Sequence, residues 1–210
     1  FENIEKPLVP VVEKMNARGV AIDTAYLRKL SVEYHAELAT LEKAVWKLAG
    51  SEFNVNSPKQ LGEALFIKLG LKPLRQKKTA GGALSTRESE LEKLRDAHPI
   101  IAKVLEYREF QKLLSTYIDP IPKLVGKDGH LRANFLQAGS TTGRMSSENP
   151  NMQNIPIQTA RGRRIRNAFV AARGNLLLAF DYSQIELRVA AILSGDSKLI
   201  EIFKKGEDVH

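Results

Sequence analysis

Asp181 is a lone acid at the end of the apolar run Leu176-Leu177-Leu178-Ala179-Phe180, and beyond it Ile185, Val189, Ile192 and Leu193 recur at helical spacing. The pattern predicts a short buried strand, a turn and a helix, with Asp181 at the switch. A carboxylate at the C-terminal mouth of a strand can hold a divalent cation, because the strand fixes its backbone and the turn leaves its oxygens open. The same residues admit a plainer role. Ser183 and Glu186 stand in the S-x-x-E order of a capping box, which would make Glu186 a helix-start residue and Asp181 a turn acid. A second polar cluster lies upstream, where Arg144, Asn151, Gln153 and Asn154 flank Asn149-Pro150. Asn in an N-P-N context favours turns, and the same side chains could donate hydrogen bonds to base edges.

Charge supplies a further signal. The 210 residues carry a formal net charge of +8, and much of the excess is concentrated in two stretches without an acid. Lys72, Arg75, Lys77, Lys78 and Arg87 fall within residues 71–87; Arg161, Arg163, Arg164, Arg166 and Arg173 fall within residues 161–173. Such stretches are either solvated surface or the footprint of a polyanion partner. The hydrophobic fraction of 43% and charged fraction of 27% are those of a globular chain, which excludes disordered and fibrous classes. The absence of cysteine excludes disulfides and thiolate metal sites and fits a reducing compartment. With no signal peptide or transmembrane run, no membrane partner is expected. Phe1 is not a natural start, so the chain is expected to be a piece of something longer.

The elements that must position these residues are mostly helical at first. Leu27, Leu30, Tyr34, Leu38, Leu41, Val45 and Leu48 predict a long amphipathic helix over residues 24–48, capped by Asp23 or Thr24 and stopped by Gly50. Ser57-Pro58-Lys59-Gln60 opens a second helix towards Leu69. A loop with Gly81-Gly82 is expected over 73–83, then a short helix from Ser85 and Glu88 to Arg95, and another from Pro99 to Tyr117. Behind the turn signal Lys127-Asp128-Gly129, the alternation of Leu131, Ala133 and Phe135 marks the expected start of a sheet.

The octet Asp181-Tyr182-Ser183-Gln184-Ile185-Glu186-Leu187-Arg188 resembles, without a mismatch, the first catalytic palm motif of the family A DNA polymerases, the group of bacterial DNA polymerase I. Upstream, Thr142-Gly143-Arg144-Met145-Ser146-Ser147 and Pro150-Asn151-Met152-Gln153-Asn154-Ile155-Pro156 are similar to the family's T-G-R-L-S-S and P-N-L-Q-N-I-P stretches, in the same order and spacing. The run from Phe1 to Tyr117, ending in Tyr117-Ile118-Asp119-Pro120, looks like its thumb. The resemblance thus covers essentially the whole chain. It implies an α+β fold: an elongated helical thumb followed by the first half of a polymerase palm, an antiparallel sheet with helices. The implied parts are a palm-proximal leading helix over 1–23, a helical thumb over 24–122, and the N-terminal part of the palm over 123–210, reaching the start of the fingers.

The resemblance also implies an activity, DNA-templated DNA synthesis by two-metal nucleotidyl transfer, with primer-template DNA and deoxynucleoside triphosphates as partners. In the family's pattern Asp181 is catalytic and ligates both of two Mg2+ ions, and Tyr182 contributes its backbone carbonyl. Glu186 would block the place of a ribose 2′-hydroxyl, with Gln184 near the nascent pair and His210 at the incoming triphosphate. Arg144, Gln153 and Asn154 would read the DNA minor groove with support from Asn151. Lys72, Arg75, Lys77 and Lys78 would grip the backbone as the thumb tip. Arg188 is open between an ion pair and a substrate contact, and His35, His98 and His130 are expected to be structural. Gln158 departs from the Arg common in relatives, which puts one phosphate contact in doubt. The second catalytic Asp and the fingers lie in later motifs that this sequence does not contain. The isolated chain is therefore expected to be inactive: a DNA-binding fragment, or one half of a split enzyme needing the remaining polymerase segments. The implied location is cytoplasmic and nucleoid-associated, or its counterpart in a phage or organelle.

Overall fold

The computed structural model describes residues 1–72, 82 and 84–207. Apart from Gly82, the loop expected over 73–83 lies outside them. The chain divides into two compact units, Phe1–Arg173 and Gly174–His210. The architecture is α+β, rich in helix with small antiparallel sheets.

In the first unit, α1 (Glu5–Arg18) ends at Gly19, whose φ of 67° turns the chain into β1 (Val20–Ile22). A Cβ at Gly19 would run into the Leu131 carbonyl, so both the left-handed backbone and the close approach require glycine there. Helix α2 (Thr24–Ala49) follows with the expected Asp23 cap, whose carboxylate accepts from Tyr26 N at 2.8 Å, and it stops at left-handed Gly50. Its stripe of Leu27, Leu30, Tyr34, Leu41 and Val45 is buried against α5 (Pro99–Leu113), which presents Ile101, Val104, Tyr107 and Phe110. This pair is the centre of the core.

The predicted second helix is a short α3 (Pro58–Gly62) that passes into a π-helical stretch, Glu63–Lys68. Ser57 caps it, but Gln60 accepts from Asn54 N at 2.8 Å instead of closing a box. The third is α4 (Glu88–Leu91) with a 3-10 extension, Glu92–Leu94. Ser85 does not cap it, because its hydroxyl accepts from Arg87 N at 3.3 Å. Helix α5 begins at Pro99 as expected and continues as a π-helical turn over Leu114–Ile118. His98 is structural here, its Nδ1 accepting from Ile100 N at 3.2 Å.

After α6 (Ile121–Leu124) come β2 (His130–Leu131), β3 (Asn134–Leu136) and β4 (Ser146–Glu148), then α7 (Ala160–Arg166) and β5 (Phe169–Val170). Although β2 and β3 do follow the Lys127-Asp128-Gly129 turn, the sheet does not begin behind it, where its start is expected. It is centred on β1, which pairs antiparallel with β2 (Ala21 opposite His130) and β5 (Ala21 opposite Val170). The three residues of β1 are too few to show an alternation, and both of their partners are distant in sequence. Strands β3 and β4 form a separate antiparallel pair, with Phe135 opposite Ser147.

The second unit differs from expectation. Residues 176–180 form no strand, and their apolar side chains are exposed, Phe180 at 92%. A strand needs a ladder partner and a covered face, and among the described residues no chain pairs with this run. Helices α8 (Ile185–Ser194) and α9 (Ser197–Lys205) pack on each other, and α9 is capped by Asp196, which accepts from Lys198 N and Leu199 N.

Candidate nucleic-acid interface and catalytic segment

The polar cluster of the first unit is a loop organised by its own hydrogen bonds. Ser147, buried on β4, accepts from Met152 N at 3.0 Å and donates to Asn151 Oδ1 at 3.2 Å. Asn151 Oδ1 also accepts from Gln153 N at 3.0 Å, so Asn151 does perform the turn role its type allows. Asn149 has a φ of 53°, and the Asn149–Pro150 peptide is cis. Gln153 Nε2 donates to the Met145 carbonyl at 2.9 Å, which ties it to the residue beside Arg144. Arg144, just before β4, and Asn151, Gln153 and Asn154, just after it, are thus joined across the strand by the Gln153–Met145 bond, and all four are exposed. Three have amide side chains and one is a guanidinium, an inventory suited to contacting acceptors of a polar ligand.

Beyond this loop, residues 153–159 and α5 line an open groove that includes Arg108, Lys112, Asn154, Gln158 and Thr159. Arg108 donates to the Thr86 carbonyl, and burial lowers its pKa. Lys112 is exposed. On the expected thumb tip, Lys72 is exposed, whereas Arg75, Lys77 and Lys78 lie outside the described residues, as does His210.

The second basic stretch is only partly a free cationic surface. Arg161 bonds Glu109 at 2.9 Å and Glu106, and lies 4.5 Å over the Phe110 ring. Arg164 pairs with both oxygens of Glu33, which raises its pKa, and lies 5.4 Å from the Tyr34 ring centroid. Arg163 donates to the carbonyls of Ile157 and Gln158. These three guanidiniums are engaged by the protein itself, and the acid partners of Arg161 and Arg164 lie tens of residues away, invisible in a local charge count. Burial alone would raise the pKa of Glu106, but hydrogen bonds from Lys103 and Arg161 outweigh it and hold the carboxyl below its ordinary value. The Tyr117-Ile118-Asp119-Pro120 segment is knit inward as well: Asp119 accepts from Ser31 at 2.7 Å and pairs with His35 at 3.1 Å.

In the second unit Asp181 and Tyr182 lie exposed on the non-helical segment before α8. The capping box is not formed. Gln184, in the left-handed region at φ 51° and ψ 37°, is the N-cap, while Glu186 sits in the first turn, where an acid complements the helix dipole. Arg188 is tied within its own unit: its Nε donates to the Ser183 carbonyl at 2.9 Å, and its guanidinium stacks 4.7 Å over Phe203 of α9. A carboxylate and a backbone carbonyl are suitable donors for a hard divalent cation in kind but not in number. Among the described residues no group of three or more His, Cys, Asp or Glu could hold a metal ion.

This helix-rich α+β arrangement is that of a segment of a polymerase domain. The solved structure titled "POL domain of Pol1 from M. smegmatis complex with DNA primer-template and dNTP" superposes with a TM-score of 0.88 at 37% identity, covering 99% of this chain and 36% of that one. The family model described as DNA polymerase family A matches residues 24–210. The chain belongs to that family. It is 52% identical to the thermostable DNA polymerase I of Thermus aquaticus and 47% identical to DNA polymerase I of Deinococcus radiodurans, in each case over 100% of this chain. It spans 25% and 22% of the lengths of those relatives.

Proposed function

We propose that this chain contributes the thumb (residues 24–122), a leading helix (1–23) and the first part of the palm (123–210) of an enzyme that performs DNA-templated DNA synthesis. The observation that carries this is the likeness along nearly the whole chain to a polymerase domain whose title names a DNA primer-template and dNTP. Arg144, Gln153 and Asn154 meet minor-groove acceptors, which occupy nearly the same places in all four correct pairs and so allow recognition without sequence preference. Asn151 supports their loop. Lys72, Arg75, Lys77 and Lys78 grip phosphates. Glu186 occludes the 2′ position of the incoming sugar, Gln184 lies by the nascent pair, and His210 meets the triphosphate. Asp181 and the Tyr182 carbonyl are ligands of the metal, taken as Mg2+. When bound, the metal lowers the pKa of the primer 3′-hydroxyl and neutralises triphosphate charge.

The remaining partners are the rest of the palm and the fingers. The exposed apolar run Leu176-Leu177-Leu178 and Phe180 supports this, since side chains of this kind belong under cover. The relatives' bacterial sources favour a cytoplasmic, nucleoid-associated setting.

The test has two parts. Isolated, the chain binds duplex DNA with an affinity that falls log-linearly with salt and extends no primer; replacing Lys72, Arg75, Lys77 and Lys78 together lowers the slope by up to about 3 to 4 units, at about 0.9 per phosphate. Joined by the missing segments, it extends primers, and Asp181→Ala abolishes turnover while binding persists. Activity of the Asp181→Ala enzyme within tenfold of the parent rejects the assignment of Asp181.

A further inference from the structure

The stretch from Asn154 to Arg164 is held at both its backbone and its side chains to a helical arm made of α2, α5 and the π-helical turn that continues α5. Three tyrosine hydroxyls from the arm donate to its carbonyls: Tyr117 to Asn154 at 2.5 Å, Tyr34 to Arg161 at 3.0 Å and Tyr26 to Arg164 at 3.1 Å. Tyr34 and Tyr117 are buried. In return Arg161 reaches Glu106 and Glu109 on α5, and Arg164 reaches Glu33 on α2. Glu109 Oε1 is buried without a hydrogen bond, so Arg161 is the cation that offsets this carboxylate. Between the two arginines Gly162 is buried, and a Cβ there would lie 2.5 Å from Pro156 Cβ. Helix α7 is therefore seated against the 153–159 segment as well as against the arm.

Apolar burial of Ile165 and Ala168 would by itself hold α7 in place. Directional bonds to three carbonyls along the stretch do something more specific: they fix the register of the backbone. The bond at Asn154 is the telling one. Its side chain is exposed, and what locates it is the carbonyl of the same residue, held by Tyr117 at the end of α5.

We propose that Tyr117 and Arg161 are positioning residues, parts of a clasp through which α2 and α5 set where Gln153 and Asn154 present their amides to DNA. The clasp couples the arm to the loop, so a change in the arm is transmitted to the reading of base edges. This use of the clasp rests on the proposed DNA-binding function; the clasp itself does not. A displacement of about 1 Å is enough to spoil a contact of this kind, which is why a supporting shell of hydrogen bonds matters.

The experiment uses the whole chain, with Tyr117→Phe and Arg161→Leu, and two readouts. Amide hydrogen exchange on the free protein is expected to quicken about tenfold at Met152, Gln153, Gly162 and Arg163, whose amides donate hydrogen bonds in the loop and at the start of α7, with α2 and α5 unchanged. Binding to duplexes with a matched or mismatched recessed 3′ end is expected to lose most of the parent's preference for the matched end, with little change in overall affinity. Arg161→Lys, which keeps the cation but not the fork, should restore part of both. Unchanged exchange at Met152, Gln153, Gly162 and Arg163 in both variants overturns the proposal, and so does a uniform quickening throughout the first unit, which would mean only lower stability. A parent with no preference for matched ends, but with local quickening in the variants, rejects the base-reading assignment and leaves the clasp standing. A preference retained by both variants despite local quickening overturns the positioning role.

Discussion

The two units use similar residues to opposite effect. In Phe1–Arg173 the helical stripes meet each other, and Leu27, Leu30, Ile101 and Val104 are fully or almost fully buried. In Gly174–His210 an equally apolar sequence leaves Leu178 at 74% and Leu193 at 82% exposure, and among the described residues only Ala191 is buried. Hydrophobic periodicity sets which face of an element is apolar; burial requires a second face to meet it. The first unit contains both faces, and the second contains one.

The largest expected effect follows directly from that contrast. Leu27→Ala removes a fully buried side chain and should lower stability by about 2–5 kcal/mol, whereas Leu193→Ala should change it by less than about 0.5 kcal/mol. Denaturant melts of the two variants check this, and equal losses would mean that the second unit has a core of its own.

A smaller effect separates the polar ties of the first unit from its apolar ones. Arg161→Leu leaves Glu106 and Glu109 without their guanidinium and should cost about 1–3 kcal/mol at neutral pH. The sign with pH is fixed by the depressed carboxyl of Glu106: its stabilisation is complete above the ordinary glutamate value of 4.5 and is lost as pH falls through the lower folded value. The parent should therefore lose more stability than Arg161→Leu does as pH falls below 4.5. Parallel pH–stability curves would show that the ion pairs contribute nothing.

The smallest effect concerns the second unit alone. Arg188→Ala removes the stacking on Phe203 and the bond to Ser183, worth about 0.5–1 kcal/mol, so α9 amides should exchange several-fold faster while the melt of the first unit stays where it was. A shift in that melt would show that the two units unfold together.

Much of the first unit was legible because its signals are local. The stripe of α2 predicts that helix to within one residue, with Asp23 and Gly50 at its ends, and Pro99 marks the start of α5; caps and periodicity act over a few residues, and the chain carries them wherever it folds. The residue types at Asp181 and on the 144–154 loop also name their possible chemistry in advance, and the family resemblance matches the family the comparisons found. What misled was everything that depends on distant partners. Strand β1 exists because β2 and β5 flank it, the 176–180 run forms no strand because nothing described pairs with it, and Arg161 and Arg164 are captured by Glu106, Glu109 and Glu33. The amino-acid sequence by itself determined the helices, their apolar faces and the chemical inventory of the site, since these follow from propensity and spacing. Only the tertiary structure decided which faces are covered, which cations are captured by distant acids and which carbonyls between Asn154 and Arg164 are held by tyrosines, because pairing, desolvation and hydrogen-bond satisfaction arise between residues that the chain brings together from afar.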